Sequence, residues 1–339
     1  LLTFPKVRAY IALVSASIFV LLGILPIDKV LTTVDWNVIL MIAGTMGVVS
    51  LFIESKMPSL LADLIIAKTP NIKWAVISLS LFAGLISAFI DNVATVLMVA
   101  PVALNIAKKL EISPVSSIIA IAIASNLQGA ATLVGDTTSI LLGGYANLDF
   151  LDFFFFKGKI GMFWVVQAGA IASTLVLMYI FRKDKDPISA MEKTVVKDYF
   201  PSVLLVGMVV LLIMASFVPN TPRTINGIIC VSLFALGLIV NILKTKDLKL
   251  IAKAFGEIDY FTILLLAGLF VVIGGITEAG VVEDISKIFV KFSNNNIFLI
   301  YTLIVWASVL FSAFIDNIPY VATMLPVTAG IAKILNIDP

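Results

Sequence analysis

Two Asp-Asn pairs, Asp91-Asn92 and Asp316-Asn317, are the residues best placed to do chemistry, because each lies between two long apolar arms. A carboxylate in such surroundings is costly unless it binds an ion or pairs with another charge. Carboxylate, amide and main-chain carbonyl oxygens together can hold Na⁺, and the same carboxylate can instead take up and release a proton. A structural alternative is that Asp and Asn only cap the helix that follows them.

The two pairs lie in two copies of one stretch, at 87–114 and at 312–339. The copies are identical at more than half of their positions when they are laid together, without a gap, at a fixed offset of 225. The similarity extends upstream at an offset of 224, where Glu54 matches Glu278. Repetition of this kind predicts a duplicated structure. The number of spans between the copies predicts that they are inverted with respect to the membrane, as in many secondary transporters.

The composition indicates an all-α polytopic membrane protein. Of the 339 residues, 60% are hydrophobic and only 13% are charged, whereas a soluble domain has roughly 25% charged residues. One cysteine and no histidine exclude a disulfide framework, a His or multi-Cys metal site and proton relay through imidazole. The net charge of +2 gives no indication of a nucleic-acid partner. The apolar composition predicts instead that the protein lies in the lipid bilayer of the plasma or inner membrane.

The apolar spans predict two repeats joined by a polar loop. The first repeat is residues 1–181, the second is residues 201–339, and the loop at 182–200 carries five Lys/Arg, which places it in the cytoplasm. A short helix in the membrane interface is expected at 58–68. The repeat also predicts further helices before Leu1 and after Pro339. The spans are expected near 9–25, 36–53, 74–90, 93–109, 115–146 (interrupted), 160–181, 201–218, 225–243, 261–277, 297–315 and 318–335.

The arms on either side of Asp91 fit either a re-entrant hairpin at 72–110 or two full crossings joined by a tight external loop. The absence of loop residues around Asp91 favours the hairpin, and symmetry predicts a second hairpin at 297–335, so that the two tips meet near the midplane. At each tip the first arm ends in unpaired carbonyls, which attract a cation. Hydroxyl oxygens can be added by Thr95, Thr323, Ser87 and Ser312.

Small and polar residues interrupt the apolar stretch 115–146 and predict a broken transmembrane helix opposite a hairpin tip. The glycines permit close backbone approach, and the short polar side chains supply ligand oxygens. The alternative is a polar external loop. Asp136 can coordinate an ion, bind protons or act as a simple N-cap. The candidate binding residues of this break are Asn126, Gly129, Thr132, Gly135, Asp136, Thr137 and Ser139.

Three segments, SAFIDNVATVLMVAPV, ATLVGDTTSILLGG and SAFIDNIPYVATMLPV, resemble signatures of the ion transporter superfamily. The resemblance is to the branch with arsenical pump membrane proteins, NhaD-type sodium–proton antiporters and the pink-eyed dilution protein, and more distantly to divalent anion/sodium symporters. It implies a homodimer with a fixed scaffold and a mobile transport domain that moves as an elevator. The symporters have Ser-Asn-Thr where this chain has Asp91-Asn92-Val93, which favours a cation or proton role over dicarboxylate binding.

The sequence therefore predicts a secondary active transporter coupled to Na⁺ or H⁺, with no other cofactor and no enzyme activity. A cation or proton exchanger is the first expectation, and arsenite efflux is a variant of it. The alternative is a Na⁺-coupled importer of small, dicarboxylate-like anions. A channel is a minor alternative, as is an intramembrane aspartyl protease, whose usual motifs the chain lacks. Asp91, Asn92, Asp316 and Asn317 are the expected Na⁺ or proton sites.

Overall fold

The computed structural model describes residues 7–109, 113–187, 194–196, 198–245 and 254–337. Within the predicted cytoplasmic loop, residues 188–193 and 197 therefore lie outside the described residues. Each predicted apolar span is occupied by helix. The helices are α1 (Arg8–Leu21), α2 (Val30–Thr33), α3 (Trp36–Glu54), α4 (Met57–Ile66), α5 (Ile72–Ser87), α6 (Asn92–Lys109), α7 (Val115–Gly129), α8 (Thr137–Ala146), α9 (Met162–Ile180), α10 (Phe200–Ala215), α11 (Ile225–Thr245), α12 (Tyr260–Glu278), α13 (Val281–Phe292), α14 (Ile297–Ser312) and α15 (Asn317–Leu335).

Several of these helices have the length and composition of membrane spans. Among the described residues, five helices are long and apolar enough to cross a bilayer, or six if α13 and α14 form one broken span. Those two helices are bent by 117° at a turn in which Asn294 and Asn295 adopt positive φ angles of 50° and 61°. This architecture agrees with the prediction of an all-α polytopic membrane protein.

The described chain divides into two compact units. The first unit contains residues 1–39 and 259–339, and the second contains residues 40–258. The second hairpin region, α14 and α15, therefore shares a unit with α1. The first hairpin region, α5 and α6, shares a unit with α7, α8 and α9.

The helix boundaries repeat with the offsets found in the sequence. An offset of 224 carries α3 onto α12 at both ends, and an offset of 225 carries α5 onto α14 at both ends. The starts of α4 and α13 are likewise related by the offset of 224, and each helix follows a left-handed residue, Lys56 with φ 60° and Gly280 with φ 78°. The duplication in sequence is thus also a duplication of helical elements and of one unusual backbone conformation.

The two copies bury equivalent side chains. In the second unit, Ile66, Val102 and Ile106 belong to one buried apolar cluster. In the first unit, the cluster of α13 and α15 contains their repeat equivalents at the same two offsets, which are Val290, Val327 and Ile331. Burial of these apolar faces fixes the short helices α4 and α13 against the arms. Each Å² of apolar surface removed from water stabilises the packed state by roughly 25 cal/mol.

A second pair of matched contacts joins α1 to α12 and α3 to α11. The backbone of α1 at Ala12 lies so close to Gly268 that a Cβ atom there would be 2.8 Å from Ala12 C. In the other unit, a Cβ atom on Gly44 would lie 2.5 Å from Cys230 C. Gly44 and Gly268 are repeat equivalents, so α11 has the same role toward α3 that α1 has toward α12.

A small β-ribbon follows α8 and was not anticipated from the sequence. Strands β1 (Phe155–Phe156) and β2 (Lys159–Ile160) pair in antiparallel fashion, and Lys157 and Gly158 form the turn with positive φ angles of 49° and 76°. Phe153 just before the ribbon is 2% exposed. The Phe153–Phe156 run is therefore built into a folded connection between α8 and α9.

Candidate ion-binding site

The first hairpin tip is the short connection between α5, which ends at Ser87, and α6, which begins at Asn92. Asp91 Oδ2 accepts hydrogen bonds from the backbone N–H groups of Val93 at 3.0 Å and Ala94 at 3.1 Å. Asp91 therefore caps the start of α6, as the structural alternative predicted. Such a cap stabilises the anionic carboxylate, because the first N–H groups of a helix have no intrahelical partner.

The break between α7 and α8 packs on this tip. The hydroxyl of Thr132 donates to the carbonyl oxygen of Ala88. A Cβ atom on Gly135 would lie 2.6 Å from Gly129 O, 2.7 Å from Ser87 O and 2.8 Å from Ala88 O. Three main-chain carbonyl oxygens thus converge on one glycine, and a larger residue would collide with all three.

The rest of the break is buried and held by short polar side chains. Ser139 donates to Gly129 O at 3.4 Å. Asp136 accepts from Thr137 N at 2.7 Å and from the Thr138 hydroxyl at 2.9 Å, so it is the N-cap of α8. Because residues 131–135 are all buried, the alternative of a polar external loop does not describe this segment.

The start of α6 is also tied to α7. The amide of Asn92 donates to the amide oxygen of Asn126, and the hydroxyl of Ser125 donates to Asn92 O at 3.1 Å. These contacts bring the Asp-Asn pair of the first copy to the same place as the α7–α8 break. The carbonyl end of α5 and the N-terminal end of α8 meet there, so the site offers partial charges of both signs.

Two hydroxyl groups at this site are buried without a hydrogen-bond partner among the described residues. They belong to Ser87 and Thr95, both of which are 0% exposed. A buried hydroxyl without a partner costs about 1–3 kcal/mol. Ser87 Oγ would lie 3.7 Å from a Cβ atom on Gly129, so it borders the break. Ser87 is therefore available as an oxygen ligand at the break, and Thr95 as one in the first turn of α6, where its N–H donates to Asp91 O at 3.0 Å.

The second hairpin tip, in the other unit, is arranged differently. Asp316 Oδ1 accepts from Ile318 N at 3.1 Å and caps α15, while Asp316 Oδ2 forms an ion pair with Arg8. The amide oxygen of Asn317 accepts from Ser312 Oγ at 2.5 Å. The hydroxyl of Thr323 donates to Pro319 O within its own helix at 2.8 Å.

The whole chain, residues 1–339, matches the family model described as citrate transporter, CitMHS. The chain belongs to the citrate transporter family. This confirms the predicted membership of the ion transporter superfamily, and it identifies a multi-pass membrane transporter.

The chain is also similar to individual proteins that are described as transporters or membrane proteins. An uncharacterized transporter of Mycobacterium tuberculosis (strain ATCC 25618 / H37Rv) is 30% identical over 341 residues, which cover 98% of this chain and 78% of the relative. A 46 kDa membrane protein of Mycobacterium leprae is 30% identical, covering 94% and 75% of the two chains. The P protein of Mus musculus is 23% identical, and the match covers 91% of this chain but 46% of that protein.

Most of the predicted site residues of this citrate transporter family member are brought together within the second unit. The tip and the α7–α8 break assemble the following candidates: Asp91, Asn92, Thr95, Asn126, Gly129, Thr132, Gly135, Asp136, Thr137 and Ser139. Asp316, Asn317 and Thr323 lie in the first unit, and the meeting of the two tips stays a prediction. Sequence reasoning missed Ser125 and Arg8, whose partners are distant in the chain.

The donor set suits a hard monovalent cation. Among the described residues, no group of three or more His, Cys, Asp or Glu side chains could hold a metal ion. The oxygens of the tip and the break are instead main-chain carbonyls, hydroxyls and the carboxylates of Asp91 and Asp136. Broken helices whose carbonyl ends coordinate Na⁺ or H⁺ are the usual arrangement of ion-coupled carriers.

Proposed function

We propose that this protein is a cation-coupled secondary active transporter of a small carboxylate anion, with its coupling site at the first hairpin tip. The observation that carries the proposal is the convergence of the carbonyl oxygens of Ser87, Ala88 and Gly129 around Gly135. Irregular backbone at membrane depth persists only where it lines a protein cavity or a binding site. The buried, unpartnered hydroxyls of Ser87 and Thr95 support an oxygen site at this place.

The coupling ion is Na⁺ or H⁺. Na⁺ would take the carbonyl oxygens and hydroxyls directly, with Asp91 supplying the negative charge. A proton would bind the Asp91 carboxylate instead. In both cases the cation offsets the negative charge of an anionic cargo, which otherwise would be repelled by the tip carboxylates.

The cargo class is supported by the family description and by the N-terminal end of α8. The family model carries the words citrate transporter. The N-terminal end of α8 adds a positive partial charge at the break, although Asp136 already accepts the N–H of Thr137 there. Exchange of cations or efflux of arsenite is a second candidate, favoured by the two carboxylates Asp91 and Asp316 at positions where the symporters have serine.

The transport mechanism is proposed as alternating access by two inverted repeats. The matched bounds of α3 and α12, and of α5 and α14, support the duplication. The arms α5 and α14 have 16 residues each, fewer than the roughly 20 that cross a bilayer, which supports re-entrant hairpins. Elevator movement, a homodimer and the plasma or inner membrane of the cell complete the proposal.

The test is uptake by the full-length protein in proteoliposomes. Citrate, dicarboxylates and arsenite are offered with a Na⁺ or a proton gradient, and the wild type is compared with Asp91→Asn. Asparagine caps a helix as well as aspartate, so this variant keeps α6 and loses only the charge. We expect coupled uptake to fall by at least about tenfold, because an intramembrane carboxylate is the group that carries ion coupling.

Asp284→Asn is the matched control. Asp284 lies on α13 and pairs with Lys287 at 3.6 Å with 77% of its side chain exposed, so its loss should leave uptake unchanged. Normal coupled uptake by Asp91→Asn would contradict the coupling role. Uptake of arsenite or exchange of cations without any carboxylate transport would select the second candidate.

A further inference from the structure

The second hairpin tip contains an ion pair that sequence reasoning does not reveal. The guanidinium of Arg8, at the first residue of α1, donates to Asp316 Oδ2. The Arg8 side chain is 21% exposed and the Asp316 side chain is 38% exposed. Because Asp316 Oδ1 already accepts from Ile318 N, both oxygens of this carboxylate are occupied. One partner is the backbone of its own helix, and the other is a charged side chain on another helix.

Arg8 is held in place by α12. Its helix packs against Gly268 through Ala12, and the guanidinium carbon lies 5.8 Å from the centre of the Phe261 ring. Arg8 Nε is buried and has no hydrogen-bond partner among the described residues. The unpaired donor costs free energy, so the ion pair with Asp316 and the Phe261 ring are the contacts that hold the guanidinium.

The repeat shows that this charge belongs to one copy only. The contacts of Gly268 with Ala12 and of Gly44 with Cys230 align α1 with α11 at an offset of 218. Arg8, one helical turn before Ala12, then corresponds to Asn226, one turn before Cys230. Asn226 is buried at 7% exposure and is neutral. The arrangement around Asp316 is therefore a departure from the internal symmetry of the protein.

We propose that Asp316, the repeat equivalent of Asp91, binds a second coupling cation, and that Arg8 is a positioning residue that sets its affinity by competing for the same carboxylate oxygen. The guanidinium holds Asp316 Oδ2 when no coupling cation is present and yields it when the cation binds. This role rests on the proposed function. A carrier must bind its coupling ion strongly enough to load and weakly enough to release it, and a permanent neighbouring positive charge weakens binding by both competition and repulsion.

Among the described ion pairs, Asp316 pairs with Arg8 alone. Two other ionisable groups lie near this pair: Tyr320, one turn after Asp316, donates its hydroxyl to Ser308 Oγ at 2.9 Å, and Tyr10 packs on the Phe261 ring that Arg8 also lies over. The full set of other ionisable groups in the described part of this unit is Tyr10, Asp28, Lys29, Asp35, Asp259, Tyr260, Glu278, Glu283, Asp284, Lys287, Lys291, Tyr301, Tyr320 and Lys333.

The test measures the half-saturating concentration of the coupling cation, together with the maximal rate, for the full-length protein in proteoliposomes. In Arg8→Gln the competitor is removed, and we expect the half-saturating concentration to fall about fivefold, the size of a partly exposed ion pair. The maximal rate should fall as well, because the cation leaves more slowly. Arg8→Lys keeps the charge without the planar fork and should lie between wild type and Arg8→Gln.

Two further variants separate this role from a merely structural one. In an Asp316→Asn background, Arg8→Gln should leave the half-saturating concentration unchanged, since the residue it acts through is already gone. Lys29→Gln is the matched control, because Lys29 pairs with Glu278 at 2.8 Å in the same unit but away from the tip. It should change neither quantity.

The outcomes are distinct. No cation-driven uptake of any offered ion by the wild type would overturn the proposed function and the role of Arg8 together. Cation-driven uptake that is lost in Asp91→Asn, but keeps its half-saturating concentration within twofold in Arg8→Gln, would overturn the role of Arg8 alone. Equal shifts of Arg8→Gln in the wild-type and Asp316→Asn backgrounds would also overturn it.

Discussion

At the scale of single residues, Gly135 is the position on which the candidate site depends most. It lies where the α7–α8 break meets the end of α5, and three carbonyl oxygens lie 2.6–2.8 Å from the place that a Cβ atom would take. Two of these oxygens accept hydroxyl groups, Ala88 O from Thr132 and Gly129 O from Ser139. The close packing at Gly135 therefore holds the break against the tip and fixes the positions of the oxygens in the proposed cation site.

Gly135→Ala should abolish coupled uptake and lower the unfolding temperature of the purified protein by several degrees. The added Cβ would approach backbone oxygens at 2.6–2.8 Å, and backbone cannot move aside as a side chain can. Gly207→Ala in α10 is the control, because no atom lies within 4 Å of its added Cβ. That variant should be neutral or more stable by up to about 1 kcal/mol. Thermal unfolding in detergent and uptake in proteoliposomes measure both, and a fully active Gly135→Ala would contradict the site.

At the scale of elements, the two matched helix pairs fill the same space with different side chains. On α3, a Cβ atom at Gly47 would lie 2.4 Å from the Phe234 ring of α11. The equivalent residues of the other pair are Val271 and Ala16, which share one buried cluster. One copy uses a glycine beside a phenylalanine, and the other uses a valine beside an alanine. Closely packed helices tolerate such exchanges as long as the total side-chain volume at the contact stays about the same.

This compensation predicts a rescue. Phe234→Ala should destabilise the protein by about 3–5 kcal/mol, because it leaves a cavity, and Gly47→Val alone should destabilise it by overpacking against the Phe234 ring. The double variant reproduces the arrangement of Val271 and Ala16 and should recover a large part of the loss. A double-mutant cycle of unfolding free energies measures the coupling. Strictly additive losses would show that the two helix pairs are not packed in equivalent ways.

Sequence reasoning predicted the elements better than their partners. The polarity pattern located both ends of α3 and of α6 almost to the residue, because apolar spans and polar breaks are local properties of the chain. It could not find the Arg8–Asp316 pair, since an arginine at the edge of an apolar span looks like any interface residue until the fold brings α15 to it. The β-ribbon at 155–160 was missed for a related reason. It begins within the run Phe153–Phe156, and four aromatic residues in a row also fit a belt at the membrane interface.

The break at Gly135 was predicted as a binding segment, and the structure divides the roles of its residues in a way that the sequence could not. Asp136 is the N-cap of α8, one of the alternatives left open by the sequence. The carbonyls that surround Gly135 come from Ser87, Ala88 and Gly129, and main-chain oxygens have no residue signature. Ligands of this kind can be inferred only after the backbone is known.

At the scale of the whole molecule, the duplication raises the question of which side of the membrane each copy faces. The elements α4 and α13 are repeat equivalents, since both follow a left-handed residue and their starts are related by the repeat offset. An inverted duplication puts them on opposite sides of the bilayer, whereas a parallel duplication puts them on the same side. The two arrangements differ in the number of crossings between the copies, and the positive-inside rule favours inversion here.

Ala67 and Lys291 test this directly, because they are equivalent at the offset of 224 and both are exposed. The native background is low, since Cys230 is the only cysteine and is buried. With a membrane-impermeant maleimide on intact cells, we expect Lys291→Cys to be labelled and Ala67→Cys to be labelled only after permeabilisation. Labelling of both from the same side would make the copies parallel. It would then remove the inversion on which alternating access through paired tips depends.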